Sequence, residues 1–232
     1  MTLKRFAAPA FWPIEKKTKK YTLDPKPGPH SKEKCIPLGI VLRDILGYAM
    51  TSKEADHILG NNSVKVDGKV RKSKNFGVGL MDIVTVGDLS YRVLPGKKGL
   101  GLVKIEGKDA SLKFLKITNI THMKKGAVQI SFHDGSNMLA DKNLYHTNDI
   151  AVFDINSRKI KEIIKLDKGC KALVVGGKNM GSIVTVIEIV TMKSSMPNQI
   201  VVDMEGKVFT LPNDYVFAIG KDTPVIKIGE KK

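Results

Sequence analysis

Apolar and polar positions change rhythm twice along this chain of 232 residues. Residues 1–36 show no sustained period, and Pro9, Pro13, Pro25, Pro27 and Pro29 exclude a long helix and favour extended backbone. From Pro37 the spacing turns helical: Leu38, Val41, Leu42, Ile45 and Leu46 share a face, and Gly47 is a stop signal. Thr51 and Glu54 form a Thr-x-x-Glu capping box that opens a second helix carrying Ala55, Ile58 and Leu59. In Val64-Lys65-Val66-Asp67-Gly68-Lys69-Val70-Arg71, apolar and basic residues alternate about an Asp-Gly pair, which predicts a hairpin with Val64, Val66 and Val70 facing a core. Asp82–Val86 supplies a further strand, ending at Gly87-Asp88.

From Tyr91 onward helix signals nearly vanish. Leu102–Ile105, Phe114–Ile117, Val128–Phe132 and Ile150–Phe153 alternate as strands, with Gly107, Gly126, His133-Asp134-Gly135 and Asn156-Ser157 as turns. Residues 199–204 and 207–211, split by Glu205-Gly206, and Tyr215–Gly220 add strands near the end. The expected fold class is α+β, β-rich and multi-domain. It comprises an arm (1–36), a small two-helix and hairpin module (37–94), an antiparallel β central domain (95–167) and a small C-terminal β-barrel (168–232).

Charge adds the next constraint. Lysine and arginine total 39 against 23 acids, a net charge of +16, while 42% of the residues are hydrophobic. The chain therefore has cores to bury and a cationic exterior that calls for a polyanion. The arm alone carries an excess of six positive charges, with Lys4, Arg5, Lys16, Lys17, Lys19 and Lys20 in two clusters. Such an arm either stays solvated or becomes ordered along a phosphate-rich surface; Phe6, Phe11 and Trp12 within seven residues favour the second. Lys97-Lys98 and Lys124-Lys125, at loop tips, are equally suited to solvent or nucleic acid. Only 14 residues are aromatic, which favours recognition of phosphate and shape over base stacking.

Catalytic and metal-binding patterns are missing. Cys35 and Cys170 are too isolated for a disulfide framework or a four-cysteine zinc site, as in a reducing compartment. Histidines 30, 57, 122, 133 and 146 form no i, i+4 pair, and His30 and His133-Asp134 read as turn residues. No phosphate loop, nucleophile elbow or dinucleotide fingerprint occurs. Neither a charged-then-apolar leader nor an apolar run of membrane-spanning length is present, so the expectation is a soluble cytoplasmic protein with no membrane partner.

Residues 37–88 resemble the S-four-type RNA-binding module: Arg43, Asp44 and Leu46 in the first helix, Thr51, Glu54 and Ala55 in the second, then the VKVDGKVR hairpin and the MDIVTV strand. The resemblance implies phosphate contacts by Arg43, Lys53, Lys69, Arg71, Lys72 and Lys74. Lys168–Val184 resembles a KOW motif, in which Gly176, Gly177 and Gly181 would let the loop approach a phosphate or ribose while Lys178 and Asn179 supply charge and hydrogen bonds.

The order of arm, S-four-type module, β domain and KOW segment resembles, over essentially the whole length, the S-four-e family of archaeal and eukaryotic small-subunit ribosomal proteins. The ending soon after Pro224-Val225-Ile226 leans towards the archaeal members. The resemblance implies a structural ribosomal protein in the cytoplasm, with small-subunit ribosomal RNA and neighbouring ribosomal proteins as partners and no catalysis, cofactor, metal or small-molecule substrate. Two rivals remain: an RNA-modifying enzyme whose S-four-type module recruits substrate, and a factor that visits the ribosome or polymerase through its KOW segment.

Overall fold

A computed structural model describes residues 2–97, 99–123, 127–140, 145–194 and 196–221. The tips Lys98, Lys124-Lys125 and Gly126, and the segment Pro224-Val225-Ile226, lie outside the described residues.

The first 105 residues contain β1 (Thr2–Lys4), β2 (Tyr21–Leu23), β3 (Cys35–Pro37), α1 (Leu38–Ile40), α2 (Ser52–Gly60), β4 (Val64–Val66), β5 (Lys69–Val70), β6 (Gly77–Gly79), β7 (Ile83–Val86), β8 (Leu89–Gly96) and β9 (Gly99–Ile105). The first helix runs on from α1 into a π-helical turn, Val41–Ile45, in which the Leu46 amide reaches back to the Val41 carbonyl at 2.9 Å. Gly47, with φ of +69°, ends it. At α2 the Thr51 hydroxyl accepts from the Glu54 amide at 3.2 Å, and the Glu54 carboxylate accepts from the Met50 amide at 2.8 Å. The capping box thus reaches back one residue beyond the cap itself. Asp67 and Gly68, at φ of +50° and +74°, make the hairpin turn the sequence predicts. Val64 and Val66 are buried, but Val70 is exposed, because β5 is a two-residue edge strand that diverges from the core.

Strands β5-β4-β7-β8-β9 form one antiparallel sheet. The β8–β9 hairpin carries it to residue 105, across the boundary expected at residue 95, so Leu102–Ile105 pairs with the helical module's sheet instead of the central one.

The central sheet has the order β12-β11-β10-β13-β14, from β10 (Leu112–His122), β11 (Val128–Phe132), β12 (Asn137–Ala140), β13 (Ile150–Asp154) and β14 (Lys159–Ile164). It is followed by a third five-stranded antiparallel sheet, order β18-β17-β16-β15-β19, from β15 (Lys171–Val174), β16 (Ile183–Val190), β17 (Gln199–Met204), β18 (Lys207–Pro212) and β19 (Val216–Gly220).

The cores do not respect the blocks suggested by the sequence. Period-2 alternation along β10 sends Leu115 and Ile117 into one cluster with Val128, Ile130 and Phe132. Phe114 on the other face joins Ile150 and Val152 in a cluster shared with Leu173, Val186, Val202 and Phe217 of the C-terminal sheet. The N-terminal segment is also part of a core. β1 pairs with β2, and Ala8 and Trp12 are buried with Ile36, Leu38, Leu42 and Leu100. The Trp12 indole donates to the Cys35 carbonyl at 2.8 Å. Residues 1–36 are therefore not a free arm: of the three aromatics in seven residues, Phe11 and Trp12 serve packing and Phe6 stays widely exposed.

Candidate nucleic-acid interface

Three buried cations lock the blocks together and so fix the surfaces that face outward. Arg92 on β8 donates to the carbonyls of Asp109 and Leu112 at 2.8 and 2.7 Å and lies over the Phe114 ring. Burial pulls its guanidinium down to about 10. Lys116 on β10 crosses to the C-terminal block, donating to the carbonyls of Asn213 and Val216 at 2.8 and 3.0 Å. Burial lowers its ammonium to about 8, so it is still charged at neutral pH.

Lys113 points the other way. Its Nζ lies 2.7 Å from Asp67, 2.8 Å from Asp82 and 2.9 Å from Asp134. Burial alone would lower the ammonium, but the three carboxylates reverse that and raise it above its ordinary value. Asp82 is fully enclosed, and Lys113 together with His30, 2.9 Å away, holds its carboxyl well below the usual range despite burial. Burial and the charge of Asp82 push Asp67 up to about 6. Beside this cluster His133 accepts from the Lys116 amide through Nδ1 and donates to the Leu80 carbonyl through Nε2. Burial lowers it to about 4, so it is neutral. His30 and His133-Asp134, read from sequence as turn residues, thus also form the joint between the helical module and the central sheet.

Among the described residues the buried charges are Arg5, Arg92, Lys113 and Lys116 against Asp82, Asp134, Asp149 and Asp154. They cancel, and the excess of 16 positive charges falls on the other residues.

The predicted contact residues divide accordingly. Lys4, Lys17, Lys19 and Lys20 are exposed on the N-terminal segment, Lys20 over the Tyr21 ring; Lys16 is half-buried against the Ala8 carbonyl. Arg5 is a correction: it is buried, with its guanidinium 3.7 Å from Asp44, and cannot lie along an external surface. Arg43 shares Asp44, at 2.7 Å. Lys53, Lys69 and Lys72 are exposed, Arg71 stacks on Phe76 at 4.2 Å, and Lys74 pairs with Asp56 at 2.6 Å. The helices and hairpin therefore gather these cations within one small module, some of them oriented by a partner.

In the loop after β15, Gly177 and Gly181 have φ of +82°, while Gly176 has no positive φ. A Cβ at Gly181 would fall 2.6 Å from the Pro95 carbonyl, so that glycine serves close approach to the β8–β9 turn and not to a phosphate. Lys178 is exposed and Asn179 half-buried.

Sequence reasoning missed Lys113, Lys116, Arg92 and Asp82. The available signal was a pair of lysines inside the apolar run Leu112-Lys113-Phe114-Leu115-Lys116-Ile117, a stretch of strand buried on both faces from Lys113 to Ile117. Both thiols are buried and unpaired, and burial pushes Cys35 up to about 11. Among the described residues no group of three or more His, Cys, Asp or Glu is arranged for a metal, and no helix is long and apolar enough to cross a membrane.

Such an assembly, with its buried charges balanced in number and its net positive charge on the other residues, defines a β-rich scaffold whose exterior suits a polyanion. The model described as "Ribosomal family S4e" matches residues 88–160, and that of the "RS4NT (NUC023) domain" matches residues 2–33. The small ribosomal subunit protein eS4 of Methanothermobacter thermautotrophicus is 42% identical, over 97% of this chain and 95% of that protein. The eS4 protein of Methanosphaera stadtmanae is 41% identical over the same shares. The crystal structure of the 30S ribosomal protein S4e from Thermoplasma acidophilum superposes with a TM-score of 0.72 at 31% identity, covering 82% of this chain and 96% of that one. The chain belongs to the S4e family of ribosomal proteins.

Proposed function

We propose that the chain is a structural constituent of the small ribosomal subunit, that it has no catalytic role, and that it is held on ribosomal RNA by three surfaces. The first is the exposed lysines of the N-terminal segment, Lys4, Lys17, Lys19 and Lys20. The second is the helix-and-hairpin face with Arg43, Lys53, Lys69, Arg71, Lys72 and Lys74, which acts as an S-four-type module. The third is the loop of the C-terminal sheet with Lys178 and Asn179, which acts as a KOW segment. Neighbouring ribosomal proteins are its other partners, and the cytoplasmic ribosome is its place.

The observation that carries this reading is the separation of charge: among the described residues four buried cations are matched in number by four buried carboxylates, the net excess lies on the other residues, and the joints hold separate basic surfaces in fixed relation. That arrangement suits many contacts to one large folded RNA, where phosphates set position.

If roughly six to ten phosphates are neutralised, affinity for ribosomal RNA should fall by about three to five decades between 50 and 200 mM salt, an estimate derived for duplexes. A flat salt response would overturn the reading. Fractionation separates the rivals: a constituent stays with purified small subunits at high salt, whereas a visiting factor washes off. Incorporation of label from a methyl donor into ribosomal RNA would favour the enzyme.

A further inference from the structure

A cavity of about 340 Å³ opens where the N-terminal segment, the helical module, β10 and the C-terminal sheet meet. Its size lies near the lower end of the range that takes small organic groups. Three features of its wall are informative.

The first is Tyr215. A Cβ at Gly176 would sit 2.8 Å from this ring, so the ring is pressed against loop backbone that only a glycine at that position leaves open. The residue is nevertheless 42% exposed. It is a fixed aromatic surface at the rim of a cavity. The second is Lys116, which is 7% exposed and spends two of its three N–H groups on the Asn213 and Val216 carbonyls. The third has no partner among the described residues, and the side chain borders the cavity. The remaining feature is charge. Lys34 and Lys116 face Glu33 and Asp214 around the opening, and His133 has both ring nitrogens occupied. Two cations against two carboxylates leave no net attraction for a phosphate. They suit a neutral planar group with donors and acceptors on its edge.

We propose that this cavity receives an unpaired nucleobase of the ribosomal RNA, stacked on Tyr215 with an exocyclic oxygen or ring nitrogen accepting from Lys116. The inference rests on the ribosomal RNA reading above and adds to it a base-contacting site distinct from the phosphate surfaces. It also gives Gly176 a role, which is to seat the ring.

The test is binding of ribosomal RNA by wild-type protein, Tyr215→Ala and Tyr215→Phe over a salt series, together with ultraviolet crosslinking of the wild-type complex and peptide mapping. Tyr215→Ala should weaken binding roughly 5- to 100-fold, as expected for one lost stacking partner, with the slope of log affinity against log salt unchanged. Tyr215→Phe should stay within about twofold, and the peptide containing Tyr215 should carry a nucleotide. Lys178→Gln, by contrast, should flatten the salt slope by about one unit. Wild-type affinity in Tyr215→Ala, or a crosslink from this peptide only to a neighbouring protein in assembled subunits, overturns the proposal. The crosslink is read on wild-type protein and so stands even if a variant folds poorly. A wild-type chain that fails to bind ribosomal RNA overturns the parent reading as well, and the salt series distinguishes that case.

Discussion

Replacing Trp12 with alanine tests whether the N-terminal segment is a tail or a piece of the core. The indole is 2% exposed, shares a cluster with Ile36, Leu38 and Leu100, and donates to the Cys35 carbonyl. Removing a large buried aromatic costs about 3–5 kcal/mol, and the lost hydrogen bond from a buried carbonyl adds about 1 kcal/mol. A total of about 4–6 kcal/mol is a large share of the roughly 5–15 kcal/mol that holds a domain folded. With a urea slope of about 2–3 kcal/mol per molar, the unfolding midpoint should fall by roughly 2 M. Trp12→Phe, which keeps most of the volume and loses the donor, should fall by well under half of that. The assay is urea unfolding followed by circular dichroism, because Trp12 is the only tryptophan and fluorescence is lost with it. A midpoint for Trp12→Ala equal to that of wild type would refute the reasoning and return residues 1–36 to the status of a solvated arm.

Two further outcomes follow from the joint around Lys113. Lys113→Met leaves Asp67, Asp82 and Asp134 facing one another and should cost about 3–5 kcal/mol at neutral pH. The deficit should narrow as pH falls towards 4 and the orphaned carboxyls take up protons; equal deficits at both pH values would contradict the charge-based account. His133, held at about 4 against an ordinary 6.5, binds fewer protons when folded than when unfolded across that interval, so its contribution to stability falls as pH drops from 6.5 through 4. At pH 5 the loss is about 2 kcal/mol. Asp67, raised to about 6, works in the opposite sense, so the comparison must be between proteins: His133→Gln should lose about 2 kcal/mol less than wild type between pH 7 and 5. Parallel pH profiles would show that the histidine titrates normally.

What was legible in the sequence was whatever local chemistry decides. The Thr51–Glu54 cap and the Asp67-Gly68 turn depend on residues within four positions, and both stand where expected. The strands from Phe114 onward announce themselves by alternation. Trp12 was misplaced because prolines and lysines describe a segment by itself, while its burial depends on residues 24 to 88 positions away. Lys113 and Lys116 were unremarkable because their partners lie 21 to 100 positions off. Val70 was assigned to a core by an alternation that holds only while a strand has neighbours on both sides. For the candidate interface, the exposed lysines were legible as charge, but which cations brace the interior was not.

The interlocked joints also bear on how the chain comes off the ribosome that makes it. Trp12 cannot find its full surroundings until Leu100 has been synthesised, which at about 5–20 residues per second leaves the aromatic, cationic N-terminus open for roughly 4–18 s. Lys113 then closes on Asp67 and Asp82, already made, but Lys116 must wait for Asn213 and for Val216, which opens the last described strand. The nascent protein therefore spends most of its synthesis as an unfinished polycation, and any nucleic acid or chaperone it meets in that interval meets a surface the finished molecule no longer shows.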